Sequence, residues 1–143
     1  MIGNIITQDD LFEYVEEALY DDNEIVQFYD KQQHVRTNYE AIGNIVHKIK
    51  THYPDAIKIG VEINNKKVGY FVYEREFLIS FGLSVDYRNK EHLKMFWDLI
   101  KEHIGDDINC LLYSHNTRAI EWLKKCGAKI LFENVTVLKF ENN

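Results

Sequence analysis

The sequence predicts an α/β fold, with a mixed, mainly antiparallel central sheet flanked by helices in a single domain over residues 1–143. Three observations carry this expectation. The hydrophobic period changes at the only proline, Pro54, from the 3.6-residue spacing of amphipathic helices to two-residue alternation. Three strand-like runs follow in succession, and then a helix, a strand, a helix and further strand-like segments. The 143 residues contain no repeat, low-complexity tract or Pro/Gly/Ser linker, so they make one domain of ordinary size, able to bury roughly two-thirds of its unfolded surface without a disulfide or metal staple.

Met1–Ile6 is short and apolar, a candidate first strand. Thr7-Gln8-Asp9-Asp10 has the spacing of a capping box, and Leu11, Val15, Ala18 and Leu19 follow at helical intervals to about Tyr20. Asp21–Val35 is ambiguous and has room for a short helix carrying Ile25 and Phe28. Thr37-x-x-Glu40 is a second capping box, leading the stripe Ile42, Ile45, Val46, Ile49 and Tyr53 that Pro54 stops. Ile57, Ile59, Val61 and Ile63 alternate with polar or small residues as a half-buried strand does. Asn64-Asn65-Lys66 is turn chemistry, since Asn tolerates left-handed backbone angles. Val68–Tyr73 and Phe77–Val85 complete an antiparallel meander, with Gly82 the expected site of a bulge. Leu93, Phe96, Trp97, Ile100 and Ile104 define a strong helix ended by Gly105. Ile108–Tyr113 reads as a buried strand, Asn116–Lys125 as a short helix stopped by Gly127, and Ile130–Phe140 as a closing hairpin or bent strand.

Composition narrows the function classes. The chain is 45 % apolar, 28 % charged and 13 % aromatic, which argues for a packed soluble core. Seventeen basic residues against twenty-three acidic ones give −6, the wrong sign for gripping a nucleic-acid backbone or an anionic membrane surface. The uncharged run Phe77–Val85 is far short of the ~20 residues a membrane-spanning helix needs. The start of the chain shows no basic leader followed by an apolar core, and Cys110 and Cys126 make no disulfide framework. These features lead us to expect a reduced, cytoplasmic protein. No metal site is expected, because His47 and His52, five apart, do not share a helical face.

The element order, together with Asn116, Ala119, Ile120, Leu123, Lys125 and Gly127, resembles the GCN5-related N-acetyltransferase (GNAT) superfamily, whose last-helix motif these positions match in register. The Asp-Leu after Thr7 is similar to the family's opening. The resemblance implies a sheet whose fourth and fifth strands run parallel and splay, with acetyl-CoA as cofactor and a small-molecule or protein amine as acyl acceptor. By that resemblance Arg88, Asn89 and Lys90 would hold the pyrophosphate, backbone groups of Leu83 and Val85 the pantetheine arm, and Asn116 the thiol end. Glu91 and Leu93 stand where the family has small residues, so a carboxylate and bulk face the phosphates and binding is weakened or lost. The family's Tyr acid is matched by Leu123 and its strand Glu by Phe77, beside Glu76. Glu76, Tyr113 and His115, with Ser114, are the remaining acid–base candidates.

Ser114–Glu133 is also similar to the tail of acetyltransferase-fold proteins of short-tailed bacteriophages, some of them virion or assembly components. That resemblance implies a second function class, a non-catalytic module with virion or assembly partners, found in the host cytoplasm or the virion. Structural roles stand beside each functional one. Asn116 serves equally as an N-cap, Arg88 as a solvated charge and Glu91 as a helix-dipole partner. His115 suits a capping or surface role, Trp97 and Trp122 suit a core or interface, and Cys126 suits a small buried hydrophobe.

Overall fold

The protein's structure, a computed structural model, describes residues 1–28, 35–113, 116–133 and 137–142. Among them are β1 (Ile2–Ile6), α1 (Gln8–Leu19), α2 (Asn38–His52), β2 (Ile57–Ile63), β3 (Lys66–Glu74), β4 (Phe77–Leu83), α3 (Lys90–Ile104), β5 (Ile108–Tyr113), α4 (Thr117–Lys125), β6 (Ala128–Glu133) and β7 (Val137–Asn142). Short 3-10 helices cover Ile25–Phe28 and Val85–Tyr87. The strands form one sheet in the order β1-β2-β3-β4-β5-β7-β6, antiparallel except for the β4–β5 pair.

Local chemistry sets the helix starts. Thr7 Oγ1 accepts from the Asp10 N–H, and Thr37 Oγ1 accepts from the Glu40 N–H. Each such cap is worth about 1 kcal/mol. The Asn64-Asn65 turn has both residues at positive φ, 51° and 67°, the geometry a tight hairpin requires. Gly105 ends α3 at φ 111°, and Gly127 follows α4 at φ 99°.

The sheet divides the core into two layers. Tyr70 and Val72 on β3 pack with Leu11, Val15 and Ile42 of α1 and α2, while Phe71 packs on the other face with Phe96 and Ile100 of α3 and Leu123 of α4. That alternation is the period-two rule at work. The β4 bulge lies at Ile79, not at Gly82 as expected. Val72 pairs with Ser80 and Tyr73 with Leu78, so Ile79 is the extra residue. Gly82 stays in register with Tyr70, and a Cβ there would sit 2.8 Å from the Tyr70 ring. Glycine at that point therefore makes room for an aromatic ring.

β4 and β5 are parallel and exchange pairs only at Phe77–Asn109 and Leu78–Cys110. Beyond these the strands run on to Leu83 and Tyr113 without further ladder partners between them. The expected splay of the two strands is thus present. β4 is shorter than its apolar run: the strand stops at Leu83, and Val85 begins a 3-10 helix.

Candidate active site

The separation of β4 and β5 contributes to a cavity of about 800 Å³. Ile79, Ser80 and Phe81 come from β4, Asn44 and Ile45 from α2, and Trp122 from α4. The bulge at Ile79 explains how successive β4 side chains reach this space. Trp122 stacks on Phe96 at 5.8 Å between ring centroids and meets Trp97 edge-on, so both tryptophans are packing residues. Tyr70 and Ser80 share a hydrogen bond of 2.8 Å at the cavity wall, and burial pushes the Tyr70 hydroxyl up to about 12.

An ion cluster centred on one buried carboxylate forms part of the wall. Asp22, 1 % exposed, lies between α1 and the first 3-10 helix. Its carboxylate accepts from Arg118 Nη1 and Nη2 at 3.0 and 2.6 Å and from Arg88 Nη2 at 2.9 Å. The Glu24 N–H adds a fourth bond at 3.0 Å. Burial by itself would raise the Asp22 pKa, but the Arg118 hydrogen bonds and the Arg88 charge outweigh it and hold the carboxyl below its usual range. Arg118 also reaches Glu24 Oε2 at 3.2 Å.

The residues singled out from sequence fall into three groups. Arg88, Leu83 and Asn116 line the cavity. Asn116 occupies the α4 N-cap position, yet its side chain makes no cap hydrogen bond. Asn89, Lys90 and Val85 are exposed and lie outside the lining, Asn89 and Lys90 at the start of α3. Glu76 sits exposed in the β3–β4 turn, where its carbonyl accepts from the Asn109 N–H, and it does not line the cavity. Tyr113 is the last residue of β5. Ser114 and His115 lie outside the described residues, as do residues 29–34 of the ambiguous segment. Leu123, at the position of the family's Tyr acid, is buried in the core. Burial pushes the Cys126 thiol up to about 11, away from nucleophilic use. Among the described residues no group of three His, Cys, Asp or Glu is placed to hold a metal ion, and no helix is long and apolar enough to cross a membrane.

Sequence reasoning missed Asp22 and Arg118. Asp22 sits in the acidic run Asp21-Asp22-Asn23-Glu24, which reads as solvated surface, and its partners are 66 and 96 residues away. The only available signal was a cluster of acids at a helix end with no basic residue in the last turn.

Coenzyme A fits this site at one end and not at the other. The gap between β4 and β5 leaves strand backbone unpaired beside a long cavity, a shape suited to a pantetheine arm. The start of α3 is otherwise engaged. Asn89 Oδ1 accepts from the His92 N–H at 2.9 Å, satisfying a donor that a phosphate would use, and Glu91 stands in the first turn. Arg88 Nε donates to the Leu83 carbonyl at 2.7 Å while its Nη2 is held by Asp22. The pyrophosphate therefore has no ready cradle there.

The chain superposes on an acetyltransferase from Thermus thermophilus with TM-score 0.66 and 10 % identity, covering 99 % of this chain and 97 % of that one. It is similar to a GCN5-related N-acetyltransferase from Rhodopseudomonas palustris with TM-score 0.66 and 8 % identity, covering 99 % and 94 %. It is also similar to a paia N-acetyltransferase from Thermoplasma acidophilum in complex with coenzyme A, with TM-score 0.57 and 14 % identity, covering 100 % and 99 %. No family model and no curated protein sequence matches. The fold is that of the GCN5-related N-acetyltransferases, shared over the full length of the chain at sequence identities that speak for fold alone.

Proposed function

We propose that the chain is an N-acyltransferase that moves an acetyl or other acyl group from an acyl-CoA to an amine, with weakened grip on the cofactor's pyrophosphate. The observation that carries this reading is the β4–β5 junction, reduced to two residue pairs, with the cavity beside it. Bound there, an acyl thioester supplies an electrophilic carbonyl and a thiol leaving group. The chain's own contribution is positional. Ile79, Phe81 and Trp122 exclude water from the cleft, and Tyr70 and Ser80 offer hydroxyl groups at its wall. Asp22 is not a base for the acyl acceptor's proton, because two arginines engage its carboxylate.

Calorimetry with acetyl-CoA and CoA tests the reading. A dissociation constant of roughly 10–500 µM, about −7 to −4.5 kcal/mol, together with amine-dependent release of free thiol, is expected. No binding at millimolar ligand would overturn it. The occupied start of α3 favours a second reading for that outcome, a non-catalytic interaction or assembly module on the same scaffold.

A further inference from the structure

The two edges of the sheet meet solvent differently. β6 forms one edge, with a register shift against β7 between Ile130 and Phe132 and the exposed Lys129. A bulge and an edge lysine are both devices that keep a strand from pairing with another chain. β1 forms the other edge and has neither. Ile2–Ile6 holds no charge and no proline, and it pairs with β2 through all five residues without a shift. Every second residue of such a strand turns its N–H and C=O away from its one neighbour, and among the described residues no strand takes them up. Ile5 is 78 % exposed, more than any other described large apolar residue, and Ile2 is 62 % exposed.

The strand is complementary to itself. A two-fold axis normal to the sheet sets two copies of β1 antiparallel and keeps each face on its own side, so facing residues have the same parity. Pairing the whole of Ile2–Ile6 then puts Asn4 on the axis, Ile2 opposite Ile6, and Gly3 opposite Ile5. Ile6 belongs to the layer of α1 and α2, so the exposed Ile2 of the second copy extends an apolar layer. On the other face Ile5 of the second copy falls at Gly3. There Leu99 and His103 of α3 come within 3.2 and 3.4 Å of the place a Cβ would take. Asn4 already donates to Glu62 Oε2 at 3.1 Å, so the axis buries no unpaired charge.

We propose that β1 is a homodimer interface, two copies joining edge to edge in this register to make one continuous sheet. Two five-residue strands bury on the order of several hundred Å², below the ~1,200 Å² of a standard interface, so the dimer is weak and reversible. Sedimentation equilibrium up to about 1 mM chain is expected to give a dissociation constant of about 10–500 µM. Each copy carries −6, so affinity should rise with salt as the repulsion is screened. Ile5→Lys is expected to weaken the dimer at least tenfold while leaving the Tm of a dilute sample within a few degrees, because the position is exposed. Asn4→Cys tests the register without adding a charge. Two copies of residue 4 face each other at about 5 Å between Cβ atoms and two copies of residue 2 lie roughly 14 Å apart, so a bis-maleimide of about 8 Å reach should link Asn4→Cys chains and not Ile2→Cys chains. The wild-type chain, with Cys110 and Cys126, is the blank. A monomer at 1 mM overturns the proposal, as does a dimer that weakens with salt or survives Ile5→Lys. Equal linking of the two cysteine variants, or of neither, overturns it as well.

Discussion

The gap between β4 and β5 and the start of α3 are two parts of the molecule that hold their shape by different means. The gap depends on backbone: two ladder pairs, one bulge and the divergence of two strands keep it, whatever side chains surround it. The start of α3 depends on particular residues, and here they have turned inward. Asn89 caps its own helix, and Arg88 serves Asp22 and the Leu83 carbonyl. The difference teaches that an opening built from strand topology belongs to a fold shared at 8–14 % identity, whereas a phosphate cradle needs small residues and free donors at particular positions.

Removing Asp22 is the strongest way to break that contrast. Asp22→Ala leaves two partly solvated guanidiniums facing each other and is expected to cost about 2–4 kcal/mol in urea unfolding, less than for a fully buried pair. In a chain this size that corresponds to a fall in Tm of roughly 10 °C. The same variant releases the Nη2 donors of Arg88 and Arg118 that Asp22 engages, while Glu24 and the Leu83 carbonyl keep their own bonds to these side chains, so CoA affinity per folded molecule is expected to rise. If it does not, the cluster is purely structural. Acid provides a milder version of the experiment. The Asp22 pKa is lowered in the folded chain, so its contribution is present above the unfolded value near 3.8 and disappears as pH falls through the native value. Wild-type stability should therefore drop steeply below about pH 4, and Asp22→Asn should flatten that part of the curve.

Gly69→Ala probes the other side of the comparison. A Cβ at Gly69 would lie 2.6 Å from the Gly82 carbonyl, a backbone atom that cannot swing away, so β3 and β4 must part. We expect about 1–3 kcal/mol of destabilisation by thermal melting. Substitutions at the helix start should have the smallest effects on folding. Asn89→Ala removes the cap for about 1 kcal/mol, and Glu91→Gly costs a similar amount in helix propensity. The first exposes the His92 N–H at the α3 terminus and the second removes a carboxylate beside it, and together they are expected to tighten CoA binding severalfold by calorimetry.

Much of the fold was readable because its signals are local. Thr7 and Thr37 cap residues three positions on, Asn64 and Asn65 adopt the turn their side chains permit, and Pro54 separates α2 from β2. The β4 bulge was displaced because glycine is a bulge signal only when nothing else needs the space, and at Gly82 the Tyr70 ring needs it. The site was less legible. Arg88, Leu83 and Asn116 reach the cavity, but the tie between Arg88, Arg118 and Asp22 joins three distant segments, which no local pattern reveals. Glu76 was a candidate through its nearness to a strand position, and the β3–β4 turn, with Arg75 at φ 54°, carries it away from the cavity lining.

The two-pair junction between β4 and β5 also bears on how the chain assembles. On either side of it the sheet keeps to one stretch of chain: β1 to β4 lie before residue 84, and β5 to β7 after residue 107, with β7 inserted between β5 and β6. Loop closure within each group is short, apart from the α1–α2 excursion and the α4–β6 segment between β5 and β7, so each group can zip up from its own contacts. The first group already has α1 and α2 against one of its faces before the last third of the chain emerges from a ribosome. Its other face waits for α3, which bridges both groups when it docks. Amide hydrogen exchange would register this as two protection classes divided at Leu78 and Cys110, and the cleft would then be a seam between two folding units as well as a place to bind.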